Sequence, residues 1–169
     1  DINKDLNSNY KMFRLLQGDV GSGKTIVSLL AAASVIRSNY QVALMAPTEI
    51  LAKQHYELSK KIFINQNIKI GLLTGKTKSN EKKIINQKIK NNEITLLFGT
   101  HALYQKGINF YKLGLIIIDE QHKFGVKQRM SLSKKGTNDL DVLLMSATPI
   151  PRTLMMTLYG DMDVSRLIE

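Results

Sequence analysis

The sequence predicts an α/β fold in which helices cover both faces of a central parallel sheet, and three observations carry that reading. Short apolar runs of strand length alternate with longer helical patterns along the chain. Two of the runs, LGLIII at 113–118 and DVLLMS at 141–146, show no polar alternation, as expected of central strands buried on both faces. A glycine-rich turn at 18–25 joins a predicted strand to a predicted helix. At 169 residues and 43% hydrophobic composition the chain can bury one good core and is too short for two full domains.

The elements follow in order. FRLLQ, 13–17, is the first strand, and residues 25–37 form the first long helix. Its oily part, 26–36, is interrupted by Ser28 and Ser34 and falls well short of the roughly 20 residues a membrane span needs. The strand QVALMA, 41–46, leads through Pro47 to a helix over 49–63. Thr48 is its expected N-cap, and Ile50, Leu51, Leu58 and Ile62 are its expected apolar stripe. IKIGLL, 68–73, is a strand, and residues 80–90 form a surface helix whose Ile85 and Ile89 lie one turn apart. ITLLFG, 94–99, precedes the two central strands. The first thirteen residues are polar, lack the apolar core of a signal peptide and begin with Asp1, which reads as a cut end.

Cysteine is absent, so disulfides and thiolate zinc sites are excluded; this suits a reducing cytosol, and a soluble, cytoplasmic monomer with no membrane contact is the expectation. Net charge is +10, and residues 53–90 hold ten lysines against Glu57 and Glu81. Charge concentrated in this way suggests an anionic partner. A chain rich in Lys, Ile and Asn throughout could equally carry it as a habit of composition.

The turn LLQGDVGSGKT fits the spacing GxxxxGK[ST], with Gly18, Asp19, Val20, Gly21, Ser22, Gly23, Lys24 and Thr25 as its eight positions. Glycines let the backbone turn tightly and approach phosphates closely, while exposed amides at a helix start, aided by its dipole, bind negative charge. Lys24 is expected to reach the β and γ phosphates of a nucleoside triphosphate, and the Thr25 hydroxyl to ligate Mg²⁺. An ordinary glycine-rich turn would not need both the lysine and the hydroxyl at the helix start.

In an open α/β sheet ligands bind beyond the carboxyl ends of the strands. Asp119 and Glu120 stand at the end of LGLIII, so they are expected on the same edge as the phosphate loop. Side chains leaving a strand point in different directions, so adjacent acids can divide two tasks. Asp119 is assigned to the metal, and Glu120 to the water that attacks the γ-phosphorus. Without the loop, two solvated acids at the start of a turn would be as good a reading.

GDVGSGKT, APTEILAKQH, GTHAL, DEQHKFGVKQR and SATPIPRTL occur in the order found in superfamily 2 helicases, and the full set resembles the first motor lobe of RecG-type ATP-dependent DNA helicases. The resemblance covers about 13–163 and implies a P-loop NTPase (RecA-like) lobe over residues 1–162, lacking its upstream part. It implies ATP and Mg²⁺ as cofactors, branched or forked DNA as the partner of the complete protein, and a connector beginning at 163–169 towards a second RecA-like lobe. Gln121 and His122, with Ser146, Ala147, Thr148 and Arg152, fall where such lobes couple nucleotide state to movement. Pro47, Thr48, Glu49, Thr74, Gly75, Gly99, Thr100 and His101 fall where they contact the DNA backbone. Each of these also has a plain reading as a cap or turn residue.

The strand DVLLMS is expected between those bearing the phosphate loop and the acids. The transcription-repair coupling translocases share much of this pattern but typically carry a second Glu after the DE pair and an aromatic residue in the loop; Gln121 and Ser22 favour the RecG branch. Lys123 departs from the usual Arg, keeping the charge and losing two-pronged bonding. A nucleotide- or DNA-binding module that never turns over ATP remains the alternative from another class.

Overall fold

The structure is a computed structural model, and it describes residues 1–104, 108–119, 140–148 and 162–167. Seven strands form one sheet in the order β3-β4-β2-β5-β6-β1-β7, every neighbouring pair parallel. They are β1 (Phe13–Gln17), β2 (Gln41–Met45), β3 (Ile70–Leu73), β4 (Leu96–Gly99), β5 (Leu113–Ile118), β6 (Asp141–Ser146) and β7 (Asp163–Arg166). Helices are α1 (Ile2–Leu6), α2 (Lys24–Arg37), α3 (Glu49–Ile62) and α4 (Ser79–Lys90), with a 3₁₀ turn at His101–Tyr104. The predicted α/β architecture is present, and β6 lies between β1 and β5 as expected.

Alternation along each central strand builds two cores. Leu16, Val42, Leu44, Leu115, Ile117, Leu143 and Met145 face α1, α2 and Phe63 at the end of α3. Leu15, Ala43, Met45, Ile116, Ile118 and Leu144 face Ile89 of α4 and Leu103 of the 3₁₀ turn. Residues 115–118 are all at most 2% exposed. Each such side chain contributes about 1.5–3 kcal/mol by leaving water, so an acid inside β5 would unfold the sheet that the acid after β5 depends on.

Register aligns the carboxyl ends. Leu73 of β3, Gly99 of β4, Met45 of β2 and Ile118 of β5 stand side by side, as do Gln17 of β1, Ser146 of β6 and Arg166 of β7. The Asp119 amide extends this ladder, donating to the Met45 carbonyl at 2.8 Å. At the opposite edge Gln41 is almost fully buried, and its side chain satisfies itself on the Ile89 and Ile94 carbonyls and the Lys112 amide.

Three elements differ from expectation. The stripe assigned to α3 is only in part its inward face: Ile62 packs against the core, but Ile50 is 72% and Leu58 36% exposed. Ala52, His55 and Ser59 are buried instead, and the small Ala and Ser let the helix lie close to the sheet. Residues 163–166, expected at the start of a connector, form β7 beside β1. Buried Arg14 on β1 clamps this strand and α1 together through Asp5, Ser165 and Asp163. The helix α1 itself was not expected. No described helix is long and apolar enough to cross a membrane.

Candidate functional site

Gln17 ends β1 and the chain turns at once into the phosphate loop. Gly21 has φ +88° and Gly23 φ +85°, a left-handed conformation that costs an L side chain about 1–2 kcal/mol. Gly23 is the N-cap of α2, at the end where the helix dipole is positive. Lys24 opens the helix and its ammonium donates to the carbonyls of Gly18 and Asp19, each at 2.6 Å. The cation is thereby held over the loop's own concavity. Val20 is exposed, Thr25 half-buried on the first turn of α2, and the buried Ser22 Oγ has no partner among the described residues. Unsatisfied buried polar atoms are rare enough to point to a ligand or ion.

The neighbouring strand ends in the Ser-Ala-Thr turn. Ser146 Oγ lies 3.2 Å from Thr148 Oγ1 and accepts from the Thr148 amide, also at 3.2 Å, while Ala147 sits half-buried between them. Two links tie this turn to the phosphate loop: the Gly18 amide donates to the Ser146 carbonyl at 3.3 Å, and Gln17 Nε2 to the Thr148 carbonyl at 3.1 Å. Gln17 was not singled out from the sequence. Its signal was a polar residue ending an apolar strand directly before the loop.

Asp119 follows β5, with only β6 between it and β1, two strand spacings or about 10 Å away. Its Oδ2 accepts a hydrogen bond from His55 Nε2 of α3 at 2.8 Å, with the two side chains 13% and 11% exposed. The donor set fits a hydrated Mg²⁺: a hydroxyl at Thr25 and a carboxylate at Asp119, hard oxygens on one sheet edge. Among the described residues no three His, Cys, Asp or Glu side chains converge on a metal position. Glu120, Gln121, His122 and Arg152 lie outside the described residues.

The remaining candidates leave β2, β3 and β4. Thr48 caps α3, its Oγ1 accepting from the Leu51 amide at 3.2 Å as expected, and Pro47 beside it is half-buried. Glu49 reaches the loop after β3: its Oε1 accepts from the Lys76 amide at 3.1 Å, and its Oε2 pairs with the Lys76 ammonium at 3.2 Å. Thr74 and Thr77 close that loop, with Gly75 exposed at its tip. Gly99 and Thr100 are buried, whereas His101 is exposed at the start of the 3₁₀ turn. Thr48, Gly75 and His101 are thus the candidates on the surface of this half.

His55 escaped the sequence reading because the stripe assigned to α3 was read from apolar residues alone. A histidine spaced between Ala52 and Ser59 on a buried face needs a polar partner, and that was the available signal.

The profile of the DEAD/DEAH box helicase family matches residues 4–157. The chain is 55% identical over 165 residues to the ATP-dependent DNA helicase RecG of Streptococcus pneumoniae, covering 98% of this chain and 24% of that one. It is 50% identical over 169 residues to RecG of Synechocystis, covering 100% of this chain and 20% of the relative. The chain therefore spans about a quarter or less of the length of these relatives. The structure of a RecG bound to a three-way DNA junction superposes with TM-score 0.83 at 45% identity, over 100% of this chain and 22% of that one. A yeast Dbp5 chain shares the fold alone, at TM-score 0.73 and 19% identity over 99% of this chain and 47% of its own. The resemblance to RecG read from the motifs extends over the whole chain, which belongs to the DEAD/DEAH box helicase family.

Proposed function

We propose that this chain is the ATP-binding lobe of a RecG-type ATP-dependent DNA helicase, which remodels branched or forked DNA together with a second RecA-like lobe of the same full-length chain. One observation carries the reading: the phosphate loop, the Ser-Ala-Thr turn and Asp119 leave three adjacent parallel strands on one edge. The RecG relatives, one of them solved on a three-way junction, support the choice of DNA. The lysines of residues 53–90 are in keeping with a phosphate backbone as the anionic partner.

In this reading the amides of residues 18–25 and the start of α2 cradle the β and γ phosphates, and Lys24 exchanges the loop carbonyls for phosphate oxygens. Thr25 and Asp119 hold the hydrated Mg²⁺. When bound, the ion neutralises charge on the phosphate oxygens and orients them. Glu120 positions and polarises the attacking water. Gln121, His122, Ser146, Ala147, Thr148 and Arg152 couple the nucleotide site to movement, with Gln17 tying the loop to the Ser-Ala-Thr turn. The DNA backbone track runs over Pro47, Thr48, Glu49, Thr74, Gly75, Gly99, Thr100 and His101, and the second lobe contributes the arginines that stabilise developing charge.

DNA-stimulated ATP hydrolysis by the complete protein tests this. Lys24→Ala and Glu120→Gln are each expected to lose about 100-fold or more in turnover, with Glu120→Gln still binding ATP. Parent-rate hydrolysis by Glu120→Gln would remove that residue from the water-positioning role.

A further inference from the structure

An ionised carboxylate only accepts hydrogen bonds, so His55 Nε2 carries the proton it shares with Asp119 Oδ2 at 2.8 Å. An aspartate leaving a strand can rotate about two bonds. Fixing Oδ2 selects one orientation and so decides where Oδ1 points. The helix that delivers the imidazole is itself held: Ala52 and Ser59 are fully buried, Ser59 Oγ donates to the His55 carbonyl at 2.7 Å, and the Tyr56 ring stands edge-on to Phe98, centroids 6.3 Å apart. Packing alone asks for no histidine here, since replacing both partners of a buried hydrogen bond by apolar groups of the same shape can be nearly neutral or stabilising.

We propose that His55 is a positioning residue for ATP hydrolysis, holding Asp119 so that its second oxygen faces the hydrated Mg²⁺. The proposal rests on the function given above. It also connects the two halves of the edge, because His55 lies six residues, about 9 Å, beyond Glu49 along the helix that Thr48 caps. Hydrogen bonds to ligating carboxylates are worth 10- to 100-fold in metal affinity or activity; an ion that keeps its waters places the expectation at the lower end.

The test uses the complete protein, with Mn²⁺ replacing Mg²⁺ so that bound metal can be counted by its EPR signal in the presence of ATP. His55→Ala is expected to weaken Mn²⁺ binding about tenfold and to lower DNA-stimulated kcat about tenfold, leaving the KM for ATP at saturating metal within about twofold. Glutamine places an amide N–H near the position of Nε2, whereas asparagine matches only Nδ1. His55→Gln is therefore expected to recover most of both effects and His55→Asn neither. Parent-like Mn²⁺ binding by His55→Ala overturns the proposal. So does a Gln variant no better than the Asn variant, a comparison that still decides the matter if the Ala variant does not fold. A parent protein that binds Mn²⁺ with ATP but never hydrolyses it would overturn the helicase reading, and the Mn²⁺ comparison would decide the role of His55 separately.

Discussion

The carboxyl edge of the sheet has two halves built by different means. Beyond β1, β6 and β5 the geometry comes from backbone: left-handed glycines, loop carbonyls gripping Lys24, and amides of one turn bonded to the carbonyls of the next. Beyond β2, β3 and β4 it comes from side chains that cap or pack against a neighbouring segment, such as Glu49 on Lys76 and Leu103 against Gly99. The phosphate loop's internal geometry is short-range and is spelled by a contiguous motif, although Gln17 reaches the Ser-Ala-Thr turn across 131 residues. A half made of side-chain caps and packing has no such contiguous spelling, and its residues look like ordinary caps and turns.

Two glycines, one from each half, sharpen that contrast, and the larger effect belongs to Gly99. A Cβ there would collide with the Leu73 carbonyl oxygen across the β3–β4 ladder and come within 2.8 Å of Leu103 Cγ. Neither backbone can yield without breaking the register that aligns Leu73 with Gly99. Gly99→Ala should lower unfolding free energy by about 1–3 kcal/mol, the usual range for overpacking. Urea denaturation measures it, and the molecules that remain folded should bind ATP as the parent does. Unchanged stability would show that this half tolerates bulk, and the comparison would lose one side.

Gly23 is needed for the opposite reason. Nothing lies within 4 Å of an added Cβ, so only its φ of +85° resists substitution. If the unliganded loop relaxes out of this conformation in Gly23→Ala, regaining it costs about 1–2 kcal/mol and ATP binding weakens five- to thirtyfold with little change in the urea midpoint. Gly23→Asn should lie between the two, because asparagine enters the left-handed region more readily than alanine. Titration with a fluorescent ATP analogue gives the ranking; equal losses in both variants would mean that space rather than conformation governs the loop.

Legibility in the sequence followed the same division. The bounds of β1, β5 and β6 were readable to the residue: buried on both faces, their runs stop where the chain meets the nucleotide edge. For β3 and β4 the apolar run started two residues early, because residues 68–69 and 94–95 carry loop contacts such as Lys69 amide to Thr95 Oγ1 before pairing begins. In α3 Ile50 and Leu58 face solvent while the small or polar Ala52, His55 and Ser59 are the most buried, so apolar periodicity marked the inward face only in part and hid His55. DVSR was unreadable as a strand since β7 is short, polar and fixed by Arg14 from far along the chain. The phosphate loop and the placement of Asp119 on its edge were legible because each is local to one strand end. The partner that orients Asp119 comes from another element and was not.

The smallest effect on stability, and the finest test of the second half, is at Glu49. Its carboxylate is one-third exposed and the Lys76 side chain almost fully so, which puts the ion pair in the range of surface pairs worth about 1 kcal/mol or less. Glu49→Gln keeps an oxygen for the Lys76 amide and removes only the charge. Stability should therefore change by no more than about 0.5 kcal/mol. The effect on DNA can differ in sign, because Lys76 is released from its anion at the edge where the backbone track is proposed. If the track passes there, Glu49→Gln binds DNA slightly more tightly, and the slope of log affinity against log salt steepens by up to about one unit, the share of one phosphate contact. If the slope and affinity stay at parent values while Lys76→Ala is equally silent, the loop after β3 lies off the track, and the DNA-facing part of this half narrows to Thr48 and His101.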